Sequence, residues 1–135
     1  MIFQDLKLVD DLSADDNLYL AVQAAGRGGQ GMATEIAEVL SWVGLGRRRQ
    51  AIAGALDDEG RRRLALARAV INRPDLVIAD EPAGKTGQAI LALLADLNQA
   101  GTAILLATRN GALAANAGAE VTHLSRARTA EDGRP

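Results

Sequence analysis

Apolar residues recur at a helical period along the first half of the chain and at a strand-like density in the second. Ser13 can cap a first helix, with Asp16 three residues on in a capping-box-like position and Leu18, Leu20 and Val22 as its apolar positions before Gly26. Gly26-Arg27-Gly28-Gly29-Gln30-Gly31 reads as a flexible loop. Ile36, Val39, Leu40 and Val43 predict a second helix from about Thr34 to Val43, ended by Gly44. A third helix follows Asp57, includes Leu64 to Val70, and stops before Asn72-Arg73-Pro74, because a residue preceding proline avoids helical angles. Leu76, Val77, Ile78 and Ala79 form an unbroken apolar run between Pro74 and Pro82, the pattern of a parallel strand buried on both faces. Gln88 to Gln99 is predicted as a helix, Thr102 to Thr108 as a buried strand and Val121 to Leu124 as a short last strand. Met1 to Phe3 reads as a strand stub, the stretch to Leu12 as irregular, and Arg126 to Pro135 as a frayed polar tail. The class is α/β.

The apolar run from Leu76 ends in two adjacent carboxylates, Asp80 and Glu81. At the C-terminal end of a parallel strand they lie where open α/β sheets bind ligands. Asp80 is placed to hold Mg²⁺ through water, since that ion keeps much of its hydration. Glu81 can orient or deprotonate an attacking water. Acidic residues also cap strands before ordinary turns, so the pair alone leaves both roles open.

Its flanks decide more. Gln4 within Phe3-Gln4-Asp5, LALARAV, INRPD, LVIADEP and GTAILLATRN occur in one order. Together they resemble the ATP-binding subunits of ABC transporters, and most of all the FtsE-type cell-division ATPases, whose phrases FQDLKLVDDLSADDNLYLAV, WVGLG, ARAVINRPDLVIADEP and LNQAGTAILLAT resemble. The resemblance implies a partial P-loop NTPase fold: a glutamine-loop segment and helical subdomain over 1–55, a small mainly parallel sheet with flanking helices over 56–125, and a tail over 126–135. It further implies ATP and Mg²⁺ as cofactors, with Asp80 and Gln4 on the metal and Glu81 as general base. An FtsX-like membrane subunit would be received by the helices within Asp5 to Ala53, holding the chain on the cytoplasmic side of the inner membrane.

Several positions depart from that pattern. The family's Gly-x-x-x-x-Gly-Lys-Ser/Thr loop, whose amides and lysine cradle phosphates, should precede the Gln4 segment, and the chain begins at Met1. Truncation at the N-terminus is the expectation. Ala79 to Thr86 echoes the loop, with Gly84-Lys85-Thr86 between a strand and a helix, but the first glycine is missing and Pro82 lacks an amide donor. The signature that normally reads Leu-Ser-Gly-Gly-Gln/Glu corresponds to Leu56-Asp57-Asp58-Glu59-Gly60. Asp57 can still cap the helix, and acids in its first turn favour its dipole. They oppose phosphate, however, because two like charges 4 Å apart repel by about 1 kcal/mol in water and about 4 kcal/mol near a protein surface. After Asp-Glu-Pro, four residues of the family turn are missing, including the aspartate through which dimer subunits communicate, which puts the family homodimer in doubt. Arg109 replaces the switch histidine, a permanent cation in place of a titrating group. His123 on the last strand reads as a surface or packing residue, Trp42 as a packing residue, and Arg47 to Arg49 and Arg61 to Arg63 as solvated faces or a surface for an acidic partner.

Composition limits the alternatives. The 135 residues can bury one modest core, and with only Phe3, Tyr19 and Trp42 as aromatics it must rest on aliphatic side chains. A net charge of −2 gives no electrostatic footprint for nucleic acid. Zero cysteines exclude a disulfide framework and thiolate metal sites. No apolar run approaches the roughly 20 residues needed to cross a bilayer. The expectation is an FtsE-like ATP-binding subunit without its P-loop, unable to hydrolyse ATP alone. A non-catalytic module docking on an FtsX-like membrane protein, and a small NTPase or kinase using Gly84-Lys85-Thr86, remain as alternatives.

Overall fold

A computed structural model describes residues 7–80, 87–112 and 122–123. Its elements are α1 (Ala14–Ala24), α2 (Met32–Trp42), α3 (Asp58–Val70), β1 (Leu76–Asp80), α4 (Gly87–Gln99) and β2 (Ala103–Ala107), with single 3-10 turns at Gly46–Arg48 and Ala53–Ala55. β1 and β2 pair in parallel with Leu76 opposite Ala103 and Asp80 opposite Ala107. The right class is therefore present: helices followed by a small parallel sheet.

Local chemistry sets the helix ends. Ser13 Oγ accepts from the Asp16 amide at 3.1 Å and starts α1, while Asp57 Oδ1 accepts from the Gly60 amide at 2.8 Å and starts α3. α2 begins two residues before Thr34, because Gly31 adopts φ 87° and turns the chain into the helix without a side-chain cap. It stops at Trp42, and Gly44 follows in the left-handed region at φ 84°. Arg73, at φ 52° just before Pro74, makes the sharp exit from α3 toward β1.

One apolar cluster joins the helices to the sheet. Leu18 and Val22 of α1, Leu40 of α2, Leu64 and Leu66 of α3, Val77 of β1 and Leu94 of α4 are all at most 3% exposed. Each such side chain contributes about 1.5–3 kcal/mol on burial. Trp42 packs against the cluster half-buried, in the packing role expected of it.

Three burial expectations fail. Leu20 is 44% exposed, because α1 turns only one stripe, containing Ala14, Leu18 and Val22, toward the core. β1 alternates instead of being buried on both faces: Val77 and Ala79 are buried, whereas Leu76 is 50% exposed. β2 has no buried residue, and Leu105 is 58% exposed. Among the described residues, the helices cover only the sheet face that carries Val77, Ala79, Ile104 and Leu106. As for the proposed last strand, Thr122 and His123 are exposed and belong to no strand, and its ends lie outside the described residues. His123 is accordingly a surface residue.

Candidate nucleotide site

Four apolar residues in parallel register, Leu76 to Ala79, carry Asp80 to the C-terminal end of β1, where it is exposed. The neighbouring β2 ends at Ala107, directly opposite Asp80, and delivers Thr108-Arg109-Asn110 to the same sheet edge. Two side-chain turns shape that segment: Thr108 Oγ1 accepts from the Asn110 amide at 3.0 Å, and Asn110 Oδ1 accepts from the Ala112 amide at 3.1 Å. Asp80 and Arg109 thus share the strand ends at which α/β sheets bind ligands. Gln4, Glu81 and Gly84-Lys85-Thr86 lie outside the described residues. Among the described residues, no cluster of three or more potential metal ligands forms.

The start of α3 is the other half of the expected site. Asp57 and Asp58 are exposed, and Glu59 is drawn to Arg63, whose Nε and Nη2 donate to its Oε1 at 3.1 and 2.6 Å. The Gly60 amide is already satisfied by Asp57, so it is not offered to a ligand. Among the described residues, no hydrogen bond or ion pair joins Asp80 to Asp57, Asp58 or Glu59. This helix start carries three carboxylates, Asp57, Asp58 and Glu59, and one of its first-turn donors is used within the chain. Asp80 fits a hydrated Mg²⁺, being an exposed carboxylate at a strand end.

The arginine run Arg61 to Arg63 is not the solvated face expected of it. Arg61 donates to the Ala53 carbonyl at 3.0 Å and to Asp10 at 2.8 Å. Arg63 also donates to the Val43 carbonyl at 2.8 Å, closing the turn after α2 against α3. Only Arg62 keeps to the surface. Likewise Arg27 pins the glycine loop, donating to both oxygens of Glu35 at 3.0 and 2.9 Å, to the Ile71 carbonyl at 3.0 Å and to Asn72 at 3.1 Å. Arg68 of α3 donates to the Lys7 carbonyl, and burial pushes its pKa below the usual guanidinium value. These ties hold the segment from Lys7 to Leu12 and the helices as one frame.

The sequence profile of the ABC transporter family matches residues 1–84. The chain belongs to the ABC transporter family. It is 32% identical over 135 residues to the cell division ATP-binding protein FtsE of Mycobacterium tuberculosis, covering 97% of this chain and 59% of that protein. To the lipoprotein-releasing system ATP-binding protein LolD of a Shewanella species it is 37% identical over 126 residues, 90% of this chain and 54% of that protein. A dimeric bacterial ABC transporter cassette has a TM-score of 0.74 at 28% identity, over 84% of this chain and 53% of the cassette. A dimeric post-hydrolysis cassette bound to ADP and phosphate gives 0.73 at 30% identity, with the same coverage. The chain spans about half to three-fifths of the length of these relatives. The ABC fold is therefore shown over the part that this chain contains, and no helix among the described residues is long and apolar enough to cross a membrane.

Proposed function

We propose that this chain acts as an FtsE- or LolD-like ATP-binding subunit that, as these 135 residues, does not hydrolyse ATP alone. The observation that carries the proposal is the α3 start, where Asp57 occupies the Gly60 amide and Asp58 and Glu59 add charge opposing a phosphate. Two sequence features support it: the 135 residues contain no Gly-x-x-x-x-Gly-Lys-Ser/Thr, and Arg109 stands where the switch histidine belongs. Asp80 and Gln4 would hold Mg²⁺, and Glu81 would be the general base, if a nucleotide were supplied by the remainder of a cassette. ATP bound there would supply a phosphoryl group for hydrolysis; these residues would orient water and metal.

Partner binding is the second part of the reading. The helical region keeps a satisfied frame: Arg27, Arg61, Arg63 and Arg68 tie it together. It would dock on an FtsX-like membrane subunit and hold the chain peripheral to the cytoplasmic face of the membrane. Activity is tested by comparing ATP hydrolysis with a Glu81→Gln control. Titration with ATP tests the minor alternative of a Gly84-Lys85-Thr86 phosphate loop, which fails if Lys85→Ala leaves any affinity unchanged.

A further inference from the structure

The turn after α2 forms an open groove of about 710 Å³. Its walls are small: Ala37 and Ser41 on α2, then Gly44 and Gly46. A Cβ built on Gly46 would meet the Ser41 backbone at 3.3 Å, so that part of the wall stays low only with glycine. Three consecutive arginines complete the lining, but they are not equivalent. Arg49 donates through Nε and Nη2 to the two oxygens of Asp15 at 2.9 Å each, a bidentate pair that neutralises it. The side chains of Arg47 and Arg48 are exposed and make no hydrogen bond or ion pair among the described residues. The groove therefore presents two uncompensated guanidinium groups beside a hydroxyl and a low wall.

We infer that this groove binds an acidic polypeptide segment, with Arg47 and Arg48 each taking one carboxylate. The inference gives the chemistry of the partner that the helical region is proposed to receive, and rests on that reading. Each exposed ion pair is weak, so useful affinity needs several contacts along the groove, which a polypeptide makes and a free anion does not. A low wall lets a backbone approach closely. An anionic bilayer is disfavoured, because two charges in a groove fall short of the cluster of about 4–8 cations that such a surface recruits. Nucleic acid is disfavoured by the absence of an aromatic stacking residue in the groove.

The test is a polarisation titration of the whole chain with a labelled helical peptide bearing two glutamates one turn apart, against the same peptide with glutamines. The glutamate peptide should bind more tightly, and Arg47→Gln with Arg48→Gln should weaken it by roughly threefold to thirtyfold, the factor two exposed pairs supply. Arg62→Gln, outside the groove, should leave it unchanged. Equal binding of the two peptides, or a double variant within about twofold of the parent, overturns the inference. So does equal competition by inorganic phosphate, which would mark a small-anion site, or co-sedimentation with phosphatidylserine vesicles that depends on the two arginines. Capture of the membrane partner's cytoplasmic portion separates the two readings. No capture by the parent chain removes the docking reading, whereas capture undiminished in the double variant removes this inference alone.

Discussion

Asn17 offers the sharpest test of how the frame is held. It is 2% exposed on α1, and its amide reads the backbone of the segment before the helix: Oδ1 accepts from the Val9 amide at 3.0 Å, and Nδ2 donates to the carbonyls of Val9 at 3.1 Å, Leu12 at 3.4 Å and Ser13 at 2.9 Å. In Asn17→Ala the carbonyls keep other donors, since Leu12, Ala53 and Asn17 amides also reach Val9, Leu12 and Ser13 respectively. The Val9 amide loses its acceptor, which costs about 1–3 kcal/mol. Asn17→Asp keeps that acceptor but turns a second oxygen toward three carbonyls. A buried ionised carboxylate whose second oxygen has no donor costs more, about 3–5 kcal/mol, a large share of a total near 5–15 kcal/mol. The introduced group should have its folded pKa raised above the unfolded value of about 3.9, so its protonated form is favoured in the folded chain. The stability it permits is then fully present below the unfolded pKa and lost as pH rises through the folded one. Urea unfolding followed by circular dichroism should place Asn17→Asp below Asn17→Ala at neutral pH, with its deficit relative to the parent shrinking toward about pH 4. An aspartate variant as stable as the alanine variant, or a deficit that does not change with pH, would refute the reasoning.

Other substitutions probe the core and the α3 start. Leu40→Ala removes a fully buried side chain and should cost about 2–5 kcal/mol in urea unfolding; less than about 1 kcal/mol would mean that α2 is not packed as described. Gly60→Ala should not stabilise the parent chain, although alanine is the better helix former, because its Cβ would stand 2.7 Å from Asp57 Oδ1 and displace the cap. In an Asp57→Ala background the same change should be more favourable than in the parent by up to about 1 kcal/mol, with the Leu56 contact at 3.3 Å common to both; identical effects in both backgrounds would count against the cap. Arg27→Ala should cost about 0.5–1.5 kcal/mol, because it removes the donor to the partly buried Ile71 carbonyl while Glu35 keeps Arg73; no loss in thermal unfolding would show the glycine loop to be untied.

Much of the fold was legible because its boundaries have local causes. Ser13, Asp57, Gly44 and Pro74 each act through their own backbone or that of the adjacent turn, so the limits of α1, α2 and α3 fall within two residues of expectation. Burial is not local in that way. An apolar run such as Leu76 to Ala79 indicates a strand but not how many layers cover it, and Leu76 and Leu105 are exposed where a two-faced core was expected. Long-range arginine contacts were equally hidden: Arg61 reaches Asp10 across 51 positions and Arg27 reaches Asn72 across 45, which no charge pattern encodes. At the candidate site the strand-end carboxylate and the acidic helix start could be read directly. The consumption of the Gly60 amide by Asp57 could be anticipated from the capping position alone.

The most direct measurement is ATP hydrolysis by the purified 135-residue chain with Mg²⁺, run beside its Glu81→Gln variant. No rate above that of the variant is expected, because the α3 start opposes phosphate and no phosphate loop occurs in these residues. A rate that Glu81→Gln abolishes would contradict the central claim and make the chain a working ATPase.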